Sequence, residues 1–203
     1  MKKSYIVIAA IVVALIAVVA WYVSTRNNFV KLDEGLSEQW SKVEVQYQRR
    51  LDLIPNLVET VKGYAEHESS TFENVTAARA GLSDAYNNAN NLSGEAPASE
   101  ADIASFSSKQ QELSRALNVY VNAVREAYPT LAAGTQFQDL QTQLEGTENR
   151  IATERGRYTE AVRNYNVAVR SFPGSIVASL GGFDVKPQFK ADEAASTVPK
   201  VSF

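Results

Sequence analysis

Residues 32–61 read LDEGLSEQWSKVEVQYQRRLDLIPNLVETV. Apolar side chains fall at Leu32, Leu36, Trp40, Val43, Tyr47, Leu51, Ile54, Val58 and Val61, in steps of three or four that average close to the α-helical period. Polar and charged residues fill most of the positions between them. The pattern predicts a long amphipathic helix with one stripe to bury. Pro55 lacks a backbone donor, which predicts a kink or a new first turn beginning near Asn56. Asp52 would then cap that turn and complement the positive end of its dipole.

Upstream, every residue from Tyr5 to Val23 is apolar or aromatic. At the helical rise this run spans about 28 Å, close to the roughly 30 Å hydrocarbon core of a bilayer. Trp21 and Tyr22 stand at its far end, where amphipathic rings favour the headgroup region, and Lys2 and Lys3 flank the near end. The run is too long for a signal-peptide core, so a retained anchor is preferred over a cleaved signal. The positive flank favours an N-terminus inside and a body outside the cytoplasmic membrane, although Arg26 and Lys31 reduce the contrast.

Downstream, Tyr64, Phe72, Val75, Ala78 and Leu82 continue a helical pattern, and the Asn-, Ser-, Gly- and Pro-rich stretch 87–99 predicts a loop. Ser99 with Asp102 forms an N-capping pattern ahead of Ile103, Phe106, Leu113, Leu117, Tyr120, Val124 and Tyr128, and Pro129 stops that helix. Thr135 with Gln138 suggests a capping box for the last long helix, whose stripe is Phe137, Leu140, Leu144, Ile151, Tyr158, Val162, Tyr165, Val169 and Phe172. Pro173 and Gly174 end it. One-sided helices joined by short connections bury their stripes in an antiparallel bundle. The predicted fold is all-α: an N-terminal transmembrane helix (1–26), an antiparallel bundle of about four long helices (27–180) and a loosely ordered tail (181–203).

Composition narrows function. The first 26 residues carry Lys2, Lys3 and Arg26 and no acid, which leaves 17 basic against 23 acidic groups and a net charge near −6 on the remainder. Such a surface repels phosphate backbones, so no nucleic-acid partner is expected. With no cysteine, thiolate metal sites, cysteine nucleophiles and lipid attachment through cysteine are excluded. The single His67, between Glu66 and Glu68, falls short of a metal-ligand set and reads as a solvated helix face.

The run Gln46–Ala65, QYQRRLDLIPNLVETVKGYA, followed by His67 and Glu68, closely resembles the signature of the LemA family of bacterial membrane proteins. Tyr128 and Pro129, then QTQLEGTENR at Gln141–Arg150, then Tyr165, Asn166, Phe172 and Pro173, are similar to the family's later block, and Pro199, Val201 and Phe203 to its usual ending. The resemblance implies a membrane anchor, a four-helix bundle and no accepted enzymatic activity. Within the family, a relative belongs to magnetosome-forming membranes and others are encoded beside an HtpX-type membrane metalloprotease, associations that suggest envelope or membrane-organising roles.

Several polar residues sit where the stripes would accept apolar ones. Arg49 and Arg50 lie between Tyr47 and Leu51, and a buried guanidinium demands a partner. Glu148 and Glu154 stand beside or on the last stripe. The simplest expectation is an internal ion-pair layer, Arg50 with Glu148 or Glu154, that sets bundle register. The functional alternative is a partner-binding patch of Arg49, Asp52, Glu148, Asn149 and Arg150. Tyr120, Tyr128, Tyr158 and Tyr165 read as core, and the apolar end Val198–Phe203 as tail packing or as a peptide for a protease adaptor. No catalytic residue, metal ligand or cofactor is expected. The expected function is that of a non-enzymatic, single-pass inner-membrane protein that scaffolds or regulates other membrane or envelope proteins, with a membrane protease among the candidates. The alternative is a homo-oligomer that organises the membrane.

Overall fold

The computed structural model describes residues 2–67, 72–90 and 96–189. The side chains of Lys2, Lys3 and His67 and the segment Val198–Phe203 lie outside the described residues, so the readings placed on them are not addressed below. Six helices follow one another: α1 (Lys2–His67), α2 (Glu73–Ala89), α3 (Glu100–Ala127), α4 (Pro129–Ala132), α5 (Thr135–Arg170) and α6 (Gly174–Gly181). No strand occurs among the described residues.

Anchor and first bundle helix are one element. α1 has 66 residues, so at the helical rise it is about 100 Å long, and no joint separates 26 from 27. From Ser4 to Trp21 its side chains are exposed on every face, and its most apolar 18 residues have a mean hydropathy of 3.0. A helix apolar all round and covered by no protein requires an apolar medium around it.

Beyond Tyr22 the helix turns one face inward. α1 pairs along its length with α5, and α2 pairs with α3, so the bundle is two tight hairpins laid side by side. The core divides by height. Next to the exposed apolar segment, Phe29, Leu36, Trp40, Val43 and Tyr47 pack with Ile103, Ile151, Tyr158, Val162, Tyr165 and Val169. Farther away, Leu51, Ile54, Leu57 and Val61 pack with Leu82, Leu113, Tyr120, Val124, Phe137 and Leu144.

Four expectations need correction. Pro55 neither ends α1 nor starts a new helix. The missing hydrogen bond and ring clash cost about 3 kcal/mol, but burial of Leu51, Leu53, Ile54 and Leu57 around Pro55 contributes roughly 1.5–3 kcal/mol for each side chain, so the helix persists. Without a helix start, Asp52 has no cap to make; it is exposed and accepts a hydrogen bond from Gln48 Nε2 at 2.8 Å. The Thr135 capping box is also absent, since Gly134 is the N-cap and makes no side-chain bond, whereas Ser99 and Asp102 form a reciprocal box.

The fourth correction concerns the tail. Residues 174–181 form α6, which buries Val177 and Ala178. Residues 183–189 then run back as a strap along α1 and α5. Asn166 Nδ2 donates to the Lys186 carbonyl and Lys186 N donates to Asn166 Oδ1, both at 2.8 Å. Lys186 Nζ lies 3.0 Å from Asp33 Oδ1. Phe189 stacks on Trp40 and meets Tyr158 edge-on, with the Arg155 guanidinium 4.3 Å above its ring. α3 meets Trp40 through Phe106, and the strap packs on the same indole through Phe189.

Candidate functional site

One polar layer separates the two halves of the core. Arg50 is buried to 1% exposure at the middle of α1. Its Nη1 donates to Glu148 Oε1 on α5 at 2.6 Å and to Ser114 Oγ on α3 at 2.8 Å. Its Nη2 donates to the Gln110 carbonyl at 3.3 Å and to Gln110 Oε1. The Gln110 Nε2 in turn reaches the Ala89 carbonyl at the end of α2, 3.4 Å away. α1, α3 and α5 therefore meet at one guanidinium, and Gln110 carries the network on to the end of α2. Tyr47 lies 5.2 Å beneath it, a cation–π contact within the usual range.

The fork geometry explains why this residue is arginine. A planar guanidinium presents fixed donors on two separate nitrogens, one set toward Glu148 and Ser114 and the other toward Gln110, a spread that the single nitrogen of an ammonium does not cover. Glu148 is half exposed, so the ion pair faces water at one edge and the desolvation penalty falls mainly on Arg50. Glu154 is not in the layer. It pairs with Arg157 Nη1 one turn along α5 at 2.7 Å.

Arg49, Asp52, Asn149 and Arg150 stand on exposed faces of α1 and α5 at about the same height. None of the four enters the layer. Gln110, Ser114 and Thr147 complete this level of the core and were not anticipated. A gap in the stripe marks them: between Phe106 and Leu113 no apolar residue occupies the expected inward position, and Gln110 stands there.

Because the two hairpins touch less closely than the helices within each, open grooves lie along the seams. Between α3 and α5 one groove of about 410 Å³ has Ser114 and Glu148 among its lining residues, beside Leu117, Val121 and Leu144 and the polar side chains Asn118, Asn122, Arg125 and Gln141. Arg125 Nη2 donates across it to Gln141 Oε1 at 2.8 Å. The same acceptors thus hold Arg50 inside and line a groove outside. Among the described residues no three His, Asp or Glu side chains converge as a metal site would require.

Burial raises the phenols of the core. Tyr120 and Tyr158 are pushed up to about 12 by burial, and Tyr165 likewise, with Asp33 and Asp184 adding to the effect. Tyr47 is raised too, chiefly by burial, which the nearby Arg155 and Arg50 partly oppose. These hydroxyls stay protonated at neutral pH and are poorly suited to act as bases there.

The sequence model of the LemA family matches residues 39–203. The chain belongs to the LemA family. The matched region begins at the half-buried Gln39 and includes the whole Arg50 layer, both hairpins and the strap, so the polar layer and its groove belong to the LemA body rather than to the anchor. The chain is also similar to magnetosome proteins. Magnetosome protein MamQ 2 of Paramagnetospirillum magneticum is 27% identical over 201 residues, covering 92% of this chain and 72% of the relative. Magnetosome protein MamQ of Magnetospirillum gryphiswaldense is 27% identical over 207 residues, covering 95% and 74%.

Proposed function

We propose that this LemA-family chain is a non-enzymatic, single-pass protein of the bacterial cytoplasmic membrane, whose bundle, held outside the cytoplasm, scaffolds or regulates other membrane or envelope proteins. The observation that carries the reading is the continuity of α1, which is at once the apolar span and the helix that carries Arg50 into the polar layer. A partner-facing groove fixed to such a rod stays at a set height above the bilayer. Confinement to the same surface raises the effective concentration of co-anchored partners, so weak contacts suffice. The groove between α3 and α5, apolar at its base and lined with amides, an arginine and glutamates, suits a peptide or helix better than a small molecule, which prefers enclosure. The polar cluster that would otherwise invite a catalytic reading is largely committed to structure, since both Nη groups of Arg50 are bonded to Glu148 Oε1, Ser114 and Gln110. The magnetosome relatives support membrane work of this kind by name alone.

The test is in-cell crosslinking of the full-length chain, with a version lacking residues 1–26 as control. Anchor-dependent recovery of a specific protease, transporter or envelope protein supports the scaffold reading. Recovery of only the chain itself would replace it with self-assembly.

A further inference from the structure

We propose that α6 is a second membrane contact, laying Phe172, Ile176 and Leu180 into the headgroup–acyl boundary beside the span. The inference rests on the reading of α1 as the anchor and adds a specific surface to it. Residues 171–183 read SFPGSIVASLGGF and contain no charge, between Arg170 and Asp184. Within that stretch Val177 and Ala178 are buried against the body, while Phe172 is 83%, Ile176 50% and Leu180 72% exposed. Ile176 and Leu180 are one turn apart and share a face of α6. Large apolar side chains left open together on an uncharged surface mark an interaction site.

Its position selects the occupant. Gly174 packs on the Phe29 ring, and Phe183 meets the same ring edge-on at 5.4 Å between centroids. Tyr22, next to the last residue of the apolar run, packs against the cluster that holds Phe29, Val169, Val177 and Ala178. Phe29 lies six residues beyond Val23, about 9 Å past the end of the apolar run and just outside a headgroup layer roughly 5–8 Å thick, whereas Tyr22, inside the run, packs on the same cluster as Val177 and Ala178. The end of the body that α6 packs on therefore lies between Tyr22 and Phe29, within a side chain's reach of the interface. Arg26, Lys31 and Arg170, exposed at the same end, suit an anionic headgroup surface, an attraction that the exposed Glu34 and Asp184 partly oppose. With two contacts instead of one, the body is held in a single tilt and rotation, and its grooves face fixed directions.

The natural absence of cysteine permits single-site spin labels through Ile176→Cys and Leu180→Cys in the full chain, reconstituted in phosphatidylethanolamine and phosphatidylglycerol vesicles. Val12→Cys in the span and Val119→Cys on the far exposed face of α3 bracket the range. Labels at 176 and 180 are expected to collide with a water-soluble nickel complex several-fold less than the label at 119, and to show an oxygen-to-nickel collision ratio between those of the labels at 119 and 12. If 12 is in hydrocarbon while 176 and 180 behave like 119, the second contact is refuted and the anchor stands. If 12 is also in water, the anchor reading fails and takes the proposal with it. Shielding accompanied by spin–spin broadening would assign the face to a second copy and overturn the membrane contact.

Discussion

Arg50 concentrates the energetic stakes of the bundle. Arg50→Met leaves Gln110 Oε1 without its donor and removes a bond from Ser114, and it should lower the stability of the body by about 3 kcal/mol. Arg50→Lys should recover little, because a point charge cannot serve acceptors on α3 and α5 together. Adding Gln110→Leu to Arg50→Met should restore much of the loss, since an apolar layer has nothing left to satisfy and Glu148 can turn to water. Chemical denaturation of the three variants checks this, and a double variant no better than the single one would contradict it. The phenols give a second test. Their folded values lie above the ordinary 10, so the neutral form is the one the fold favours; stability should be level below pH 10 and fall as pH rises toward 12. Alkaline melts followed by tyrosinate absorbance would show it, and Tyr158→Phe should blunt the fall. At this scale the sequence made Arg50 and Glu148 legible because each interrupts an apolar rhythm. The partners on α3 were harder to see, because a lone Gln at a stripe position is compatible with a simple surface residue until the facing helix is known.

Among the elements, α1 shows what pattern reading captures and where it stops. The stripe from Leu36 to Leu51 carried the helix, and its buried face is the one the spacing predicted. Of the two readings of Pro55, the new first turn is ruled out, because local propensity was weighed without the apolar side chains packed around it. Pro55→Ala restores a donor for the Leu51 carbonyl at an exposed position and should stabilise the bundle by about 1 kcal/mol or more, read as a higher melting temperature. A lower melting temperature would mean that the proline shapes α1 in a way the packing needs. The strap was illegible for a different reason: residues 183–189 have no periodicity, and their order comes from tertiary bonds. Asn166→Ala breaks both of them and should cost about 1–2 kcal/mol while releasing the Lys186 amide to rapid hydrogen exchange. Retained protection at Lys186 would show that Phe189 and Asp33 suffice to hold the strap.

At the scale of the molecule, α1 begins as an exposed apolar helix long enough to cross a bilayer and ends as one wall of a bundle. Fold class followed from hydrophobic period and helix boundaries alone, since each helix lacks a second apolar face and must share one core. The seams were beyond reach of sequence, because which helices pair closely depends on how large side chains such as Trp40, Tyr47 and Phe106 fill the space between hairpins. Those seams are where a partner would bind, so the functional claim depends on the part of the structure that was least legible. The most direct measurement places a photo-crosslinking side chain at Asn122 in the groove between α3 and α5, in living cells, in the full-length chain and in one lacking residues 1–26. A discrete adduct with another membrane or envelope protein, present only with the anchor, is the predicted result. An adduct that forms equally without the anchor, or none from the groove at all, would contradict the account.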